Sequence, residues 1–187
     1  MKFNLLQCIA YHPRQWAGLM VMTLCAVTAQ AQSANTMAEY RVKAAYIYNF
    51  AKYVDWPGAD SKEFHVCSAG RDDLGGALSA LDRRWAQGRE IQVRHNVALD
   101  QIKDCQIIFV GEKDPKLLTS VVRQLSGAPV LIVSDNQQAV DVGAHITLAF
   151  ADDRVEFDVN LAMLQRANLK ASSQMLKLAR TTKPNKP

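Results

Sequence analysis

The sequence predicts an α/β protein: a single compact domain in which a mostly parallel central sheet is flanked by helices on both faces. Three observations lead to this prediction. Strand-like and helix-like segments alternate between residues 63 and 133. Two of the strands, CQIIFV at 105–110 and PVLIV at 129–133, are continuously apolar, which is typical of strands buried on both faces. A hairpin pattern at 145–159 then predicts that the sheet ends in a C-terminal antiparallel hairpin.

The opening element is a helix within residues 42–57, VKAAYIYNFAKYVDWP, and it is apolar on two sides. At about 100° per residue, one arc holds Val42, Ala45, Tyr46, Asn49, Phe50 and Tyr53, and the opposite arc holds Ala44, Ile47, Tyr48, Ala51 and Val54. The charged residues lie on two narrow seams between these arcs. Arg41 and Lys52 lie on one seam, and Lys43 lies on the other. Because a surface helix needs only one apolar stripe, we expect this helix either to lie inside the core or to dock another protein.

Further elements follow from local patterns. Strands are predicted at 63–69 and 90–94, and short helices at 74–81 and 97–103, the first of them capped by Asp72. A longer helix should begin at Pro115 and run to about Leu125. The hairpin strands are 145–150 and 155–159, followed by a helix from Leu161, capped by Asn160, and a last helix capped by Ser172 or Ser173.

Residues 1–31 have the pattern of a cleaved export signal. Lys2 and Arg14 supply positive charge, residues 16–27 form a short apolar run, and Ala29-Gln30-Ala31 provides the small residues that a signal peptidase accepts. We therefore expect a periplasmic protein whose domain covers residues 32–180, with a disordered tail at 181–187. An uncleaved anchor is the alternative. No later apolar stretch is long enough to span a membrane, so we expect no membrane span in the mature chain.

Charge argues against a nucleic-acid partner. Without its first 31 residues the chain has a net charge of about +2, and its basic residues are scattered rather than clustered.

Two cysteines, Cys67 and Cys105, lie within the expected domain. Two cysteines of an exported domain commonly pair in an oxidising compartment. However, Cys67 lies late in one predicted strand and Cys105 opens another, so parallel neighbours in plain register would hold them too far apart. The sequence favours the bridge and leaves two buried free thiols as the alternative.

The sequence carries no recognisable catalytic set. It has no G-x-S-x-G elbow and no Walker loop, and its histidines lack zinc-ligand spacing. Asp152 and Asp153 fit a hairpin turn, and His65 and His145 fit ordinary hydrogen-bonded positions in strands. We therefore expect no enzymatic activity, no metal and no cofactor.

A small-molecule site is the weaker expectation. Parallel α/β sheets bind ligands beyond the carboxyl ends of their strands. The predicted strand ends carry Ser68, Gly70, Arg71, Glu112, Ser134 and Asp135. These six residues are the candidate ligand-binding set, although a tight turn explains the glycines of segment 68–76 equally well.

Four segments together resemble the YfiR family, which has a DUF4154-type domain. They are VKAAYIYNFAKYVDWP, FHVCSAGRDDLGGAL, CQIIFVG and VEFDVNLAMLQRANLKASSQMLKLAR, and the resemblance extends from about residue 38 to 180. It implies a compact α/β domain that dimerises and has a redox-sensitive cysteine pair, to which Cys67 and Cys105 correspond. A second pair found in better-known members has no counterpart in the expected domain.

The resemblance also implies a function. Family members hold down the periplasmic sensor region of a membrane-bound diguanylate cyclase. A stress signal, or an outer-membrane-associated partner, releases the cyclase, which then makes cyclic di-GMP and favours biofilm formation.

Two hypotheses follow for this chain. In the first it is an inhibitory binding protein, with Tyr46, Tyr48, Phe50 and Trp56 as interface anchors, because desolvated aromatic residues carry most binding energy. Its expected partners are the cyclase, an outer-membrane-associated releasing protein and a second copy of the chain. In the second it is a periplasmic small-molecule sensor that feeds another membrane receptor, such as a histidine kinase.

Overall fold

The computed structural model describes residues 35–58, 61–71, 74–111 and 113–183 of the 187-residue chain. The expected export signal, the Asp72 cap and Glu112 lie outside these residues. One compact unit spans Met37–Pro187, and of the unit before it, Met1–Thr36, only residues 35 and 36 are described. Those two residues belong to the first helix.

The helices are α1 (35–53), α2 (Pro115–Gln124), α3 (Ala139–Val142), α4 (Leu161–Arg166) and α5 (Ser173–Leu178). The strands are β1 (Val54–Asp55), β2 (Glu63–Ala69), β3 (Trp85–Ala86), β4 (Arg89–Arg94), β5 (Ile107–Val110), β6 (Leu131–Ser134), β7 (Ile146–Ala151), β8 (Arg154–Asn160), β9 (Lys170–Ala171) and β10 (Thr181–Lys183). Short 3₁₀ helices lie at Ala77–Leu81 and Ile102–Asp104.

Within the described residues, eight strands form the main sheet in the order β10-β8-β7-β6-β5-β2-β4-β3. The strands from β4 to β7 run parallel, whereas β8 pairs antiparallel with β7 and β3 with β4. After β2 the chain forms β3 and β4 on one side of β2, and it then returns to form β5 on the other side. This order confirms the predicted mostly parallel sheet and places a topological switch point between β2 and β5.

The predicted C-terminal hairpin is confirmed. Its turn consists of Asp152 and Asp153, both with positive φ, at 51° and 56°. Two-residue turns of this handedness match the twist of the strands that they join, and aspartate tolerates the conformation. The predicted caps of the following helices also form, because Asn160 accepts a hydrogen bond from the Met163 amide and Ser172 accepts one from the Met175 amide.

Both faces of the sheet are covered. One buried cluster joins α1 to Phe64, Phe109 and Phe157 of the sheet, and includes Leu164 of α4 and Met175 of α5. The other joins α2 to the opposite face, with the members Cys67, Ala69, Ile102, Cys105, Ile108, Val110, Leu118, Val121, Leu125, Val130, Ile132, Ala139 and Ala144. The continuously apolar strands are thus buried on both sides, as their composition predicted.

Helix α1 buries one broad side rather than two. Ala44, Ile47, Phe50 and Ala51 are at most 3% exposed, whereas Val42 and Tyr53 of the other predicted arc are 43% and 40% exposed. Phe50 was predicted on the same arc as Val42 and Tyr53, but in the structure it is part of the core. Lys43, placed by the sequence on a charged seam, lies inside the buried side, where it is only 6% exposed.

Several predicted boundaries are wrong, and three of them change an element. Helix α1 ends at residue 53, and Val54 begins a strand that pairs with β9, because Pro57 disfavours helix before it and the Gln87 side chain caps the carbonyl of Ala51. The helix predicted at 97–103 is reduced to a 3₁₀ turn at Ile102–Asp104. The expected disordered tail begins with β10, which pairs parallel with β8, and residues 184–187 lie outside the described part of the chain.

The Cys67–Cys105 disulfide forms, with the two Cα atoms 6.1 Å apart. Sequence reasoning placed Cys105 within a strand, which would have been too distant. In the structure Cys105 instead directly follows the 3₁₀ turn and precedes β5, in the same buried cluster as Cys67. Cys105 therefore meets Cys67 on one face of the sheet, and it is not the residue that pairs with Cys67 in the neighbouring strand.

We predict that replacing both cysteines with alanine will lower the free energy of unfolding by about 2–4 kcal/mol. The bridge spans a sequence separation of 38 residues, and its loss restores that loop's entropy to the unfolded chain. Urea unfolding of the wild type and the double variant measures the difference. An unchanged unfolding midpoint would mean that the bridge contributes no net stability.

His145 is a buried neutral histidine that links three elements. Its Nδ1 accepts a hydrogen bond from the Ile132 amide at 2.9 Å, and its ring also bonds the Met163 backbone. Burial lowers the pKa of His145 from 6.5 to about 4, and the Met163 bond only partly opposes this shift. The ordinary hydrogen-bonded role expected for this residue is confirmed.

We predict that stability will fall as the pH is lowered from about 6.5 to about 4. In that window the unfolded chain binds a proton at His145 and the folded chain does not, so acid favours unfolding by up to about 3 kcal/mol. Urea unfolding at several pH values tests this prediction. His145→Gln, which retains a donor and an acceptor, should show a shallower pH dependence than the wild type over the same range.

Candidate functional site

The carboxyl edge of the parallel sheet carries two neighbouring cavities. The first, of about 460 Å³, lies at the switch point and is lined by Ala69, Arg71, Gly111, Lys113 and Asp114. The second, of about 190 Å³, lies where α1 meets the end of β6, and we call it the α1 cavity. Lys113 lines both. The α1 cavity is lined by Glu39, Tyr40, Lys43, Lys113, Asp135, Gln137, Leu148, Ala149 and Phe150.

The residues expected to bind a ligand separate into two groups. Ser68 and Ser134 are fully buried, and their hydroxyls accept hydrogen bonds from the amides of Asn96 and Asn136, so both have structural roles. Gly70 has a φ of 71°, and a Cβ there would lie 2.6 Å from Leu117. It is therefore a turn residue, as the alternative interpretation held.

Arg71 and Asp135 remain at cavities, the first at the switch point and the second in the α1 cavity. Glu112 lies outside the described residues. The strand ends thus bring Asp135 to a cavity together with residues of α1 that sequence reasoning did not propose.

A buried ion pair dominates the α1 cavity. Lys43 Nζ lies 2.8 Å from Asp135 Oδ2 and 2.6 Å from Glu39 Oε1, one helical turn earlier. Burial alone would lower the pKa of Lys43, but the hydrogen bonds and negative charges of Asp135 and Glu39 more than offset it and raise that pKa. Lys43 therefore stays charged. The Glu39–Lys43 spacing was the available sequence signal, because residues four apart share a helix face.

Asp135 is incompletely satisfied. The residue is 6% exposed, and its Oδ2 accepts from Lys43. Among the described residues, its Oδ1 has no hydrogen-bond partner although it is buried. Buried carboxylate oxygens are normally hydrogen-bonded, so this atom distinguishes the α1 cavity from an ordinary surface depression.

The four aromatic residues expected to anchor a partner do not share a surface. Phe50 is 1% exposed and packs edge-on against Phe157. Trp56 is 8% exposed, and its indole nitrogen donates to the Gln106 carbonyl at 3.1 Å. These two side chains belong to the core of this chain, so the structure does not present them on a surface where the expected interface anchors would meet a partner.

Tyr46 and Tyr48 are half-buried and lie on different flanks of α1. Tyr48 donates its hydroxyl hydrogen to the Trp85 carbonyl at 3.1 Å, and its ring lies 4.8 Å from Lys52 Nζ and 5.3 Å from the Arg84 guanidinium. Tyr46 instead lines an apolar groove of about 250 Å³ between α1 and α5.

We call this the α1–α5 groove, and it is lined by Tyr46, Asn49, Phe50, Tyr53, Phe157, Gln174, Met175 and Leu178. Leu178 is 76% exposed, the most exposed large apolar side chain among those described, and Tyr53 is 40% exposed. Contiguous exposed apolar residues of this kind mark binding surfaces more often than isolated ones do. Sequence reasoning missed Leu178 because it predicted the last helix from its serine cap and assigned no binding role to the apolar residues of that helix.

Two kinds of feature are absent from the part of the chain that the structure describes. It contains no group of three histidine, cysteine, aspartate or glutamate side chains placed to hold a metal ion. None of its helices combines the length and the apolar character needed to cross a bilayer.

A family model described as YfiR/HmsC-like (DUF4154) matches residues 40–180. The chain belongs to the YfiR/HmsC-like family. The match extends from within α1 to the residue before β10, and it confirms the resemblance found in the four sequence segments. Members of this family are periplasmic regulatory proteins.

One solved structure shares the fold at low sequence identity, and a second is similar over a smaller part of the chain. A conserved domain protein from Vibrio cholerae O1 biovar El Tor is 8% identical over 75% of this chain, with a TM-score of 0.51. An ABC domain from Streptococcus pneumoniae, in complex with L-Trp, is 11% identical over 65% of this chain, with a TM-score of 0.48. This chain spans 60% and 56% of the lengths of those proteins.

We predict that Lys43→Met will destabilise the protein by about 3–5 kcal/mol, because it leaves the Asp135 carboxylate buried without its countercharge. The double variant Lys43→Met/Asp135→Asn should lose less than the sum of the two single losses, since it removes both charges. A double-mutant cycle measured by urea unfolding tests this coupling.

The exposed ion pair of Lys183 and Asp141 provides the matched control. Its coupling energy should be no more than about 1 kcal/mol, because solvent screens exposed charges. Equal coupling energies at the two pairs would contradict the assignment of Lys43 and Asp135 as a desolvated pair.

Proposed function

We propose that this protein is a periplasmic regulator that binds the periplasmic sensor region of a membrane-bound diguanylate cyclase and holds the enzyme inactive. It acts by binding and catalyses no reaction itself. The proposal also includes release by an outer-membrane-associated protein, followed by cyclic di-GMP synthesis and biofilm formation. Its main support is membership of the YfiR/HmsC-like family over residues 40–180.

The α1–α5 groove supports a mechanism based on contact. Its floor is formed by core aromatic rings, with Phe50 and Phe157 5.2 Å apart between centroids, and its rim carries the exposed Tyr53 and Leu178. A rigid apolar floor with exposed apolar side chains at the rim suits an inserted apolar or aromatic side chain from a partner. We therefore propose that the partner binds at this groove. Among the four aromatic residues expected as anchors, Tyr46 keeps that expected role, because its half-buried side chain lines the groove.

Repression of this kind requires a difference in affinity between two states of the target. A regulator that binds the inactive sensor region more tightly by a few kcal/mol shifts most of the cyclase into that state. Loss of even one well-buried contact in the groove would therefore change the amount of active enzyme as well as the amount of complex.

We predict that Leu178→Lys will weaken binding to the cyclase sensor region by about tenfold or more, because it replaces an apolar side chain at the rim of the groove with a charge that the contact would desolvate. A lysine at the end of α5 is compatible with the helix dipole, so the fold should survive. Affinity is measured by biolayer interferometry against the purified periplasmic regions of the membrane-bound diguanylate cyclases of the source bacterium. Cyclic di-GMP in cells carrying the variant should rise.

Leu99→Lys is the matched control, because Leu99 is also an exposed leucine but does not line the groove. It should leave both affinity and cyclic di-GMP unchanged. If the wild type binds none of the sensor regions, and deletion of the gene leaves cyclic di-GMP unaltered, the proposed function is wrong. Light scattering over a range of protein concentrations tests the expected homodimer.

A further inference from the structure

A further groove lies between the first half of α1 and the 3₁₀ helix Ala77–Leu81. It has a volume of about 420 Å³, and the residues that line it belong to segments 37–45 and 75–84. Ala44 and Ala77 form its floor and are 3% and 9% exposed. Arg41 and Arg84 also line it, and we therefore call it the arginine groove.

Small residues keep the arginine groove open. Gly76 has a φ of 81°, which glycine adopts without strain, and a Cβ at this position would meet no atom within 4 Å. Ala45 and Ala80 line the groove and are exposed. Met37 of the same lining is 40% exposed. A molecule from outside the chain can therefore contact the walls of this groove directly.

The charges of the arginine groove are all positive among its described lining residues, which include two arginines and no carboxylate. Arg41 and Arg84 are both exposed, and neither guanidinium forms an ion pair with a described residue. The neighbouring Arg83, in contrast, lies 3.9 Å from Asp82. The Arg84 guanidinium lies 5.3 Å from the centre of the Tyr48 ring. Two cations without a countercharge on one groove are complementary to an anionic ligand.

The remaining lining of the groove is apolar. Apart from the two arginines, each described residue that lines it is alanine, glycine, methionine or leucine. A fully hydrophilic anion would therefore use the guanidinium groups alone and would leave the apolar walls without contact. An anion that also has an apolar body removes part of these walls from water, which is favourable.

Other occupants fit the arginine groove less well. A second copy bound through the same surface would bring Arg41 and Arg84 of both copies together, and these like charges repel. A flat anionic membrane surface would meet the arginines but would leave the recessed Ala44 and Ala77 without contact. The volume of about 420 Å³ instead lies within the range of about 300–1,000 Å³ that is common for small-ligand pockets.

We propose that the arginine groove binds a small amphiphilic organic anion. The acidic group of this ligand pairs with a guanidinium of the groove, and its apolar body lies against the alanine and methionine side chains. Arginine suits this role because its planar guanidinium forms two parallel hydrogen bonds with a carboxylate or a phosphate group.

The arginine groove is independent of the identity of the protein partner. It shares no lining residue with the α1–α5 groove, nor with the cavity at the switch point, where sequence reasoning expected a small ligand. Failure of the cyclase proposal would leave this site unaffected, and the experiment below uses the purified protein alone.

The test compares carboxylates with neutral analogues of the same shape. Isothermal titration calorimetry and thermal unfolding at pH 7.5 are carried out with hexanoate and 3-phenylpropionate, with 1-hexanol and 3-phenyl-1-propanol, and with acetate, which lacks a large apolar body. We expect saturable binding and a raised melting temperature with at least one of the two larger carboxylates. Its alcohol should bind about tenfold more weakly, because the charge is missing, and acetate should show no saturable binding.

An alcohol that binds as tightly as its carboxylate would overturn the proposal. Failure of both larger carboxylates to bind would also overturn it, and would favour an acidic segment of a protein as the occupant of the groove.

Variants then locate the bound anion. Arg41→Gln and Arg84→Gln should each weaken carboxylate binding by about two- to fivefold, because each removes one exposed cation. The double variant should weaken it by about tenfold, with the affinity for the alcohols unchanged. Ala45→Leu fills the groove with a side chain that helices favour, and it should weaken the binding of carboxylates and alcohols alike.

Arg83→Gln is the matched control. Arg83 adjoins Arg84 and its side chain is 85% exposed, but it does not line the groove. Its replacement should leave carboxylate affinity unchanged. A double variant of Arg41 and Arg84 that binds carboxylates as tightly as the wild type would refute the assignment to this groove. Equal losses with Arg83→Gln and Arg84→Gln would refute it as well, since binding would then follow the overall charge of the protein.

Discussion

The attachment of α1 to the carboxyl edge of the sheet depends on the ion pair between Lys43 and Asp135. The two residues are 92 positions apart in the chain, and both are buried. Neither charge is tolerable there without the other, because desolvating an unpaired charge costs several kcal/mol. Apolar contacts hold α1 on the sheet, but they would also tolerate small shifts along the helix. The ion pair, with Glu39 as a second acceptor, is a directional contact that favours the observed register of the helix.

The topology of the sheet explains why this attachment lies beside cavities. Strands β2, β5 and β6 are parallel, so all of their carboxyl ends reach the same edge. The connection after β2 runs toward β4 and the connection after β5 runs toward β6, in opposite directions, which opens a crevice between the loops after β2 and β5. Helix α1 covers the neighbouring part of the same edge, beyond β6. The cavities are therefore consequences of strand order, and the side chains that line them determine what they bind.

Much of the fold could be predicted from local patterns, because those patterns depend on neighbouring residues. The continuous apolar strands, the Asp152–Asp153 turn and the caps at Asn160 and Ser172 all belong to this class. The site could not be predicted in the same way. Periodicity marked Lys43 as charged and placed it at a surface seam, since nothing near it in the sequence indicates that Asp135 will meet it.

The geometry of the Cys67–Cys105 bridge could not be predicted for a similar reason. A 3₁₀ turn positions Cys105 before its strand and within reach of Cys67, and the sequence pattern did not indicate this turn. Aromatic residues show a different limit of prediction from sequence. Phe50 and Trp56 have the side chains that interfaces favour, but cores favour the same side chains, and composition alone does not separate the two environments.

The position of α1 has a consequence for regulation. Successive parts of this helix line two features of the surface: Glu39 and Lys43 line the α1 cavity, and Tyr46 and Tyr53 line the α1–α5 groove. A ligand that changes how Lys43 engages Asp135 acts on the interaction that sets the register of the helix. Any resulting change in affinity at the groove must be reciprocal, because coupling between two binding sites is a single free energy. A partner held in the groove would then change the stability of the Lys43–Asp135 contact by the same free energy by which loss of that contact changes the affinity for the partner.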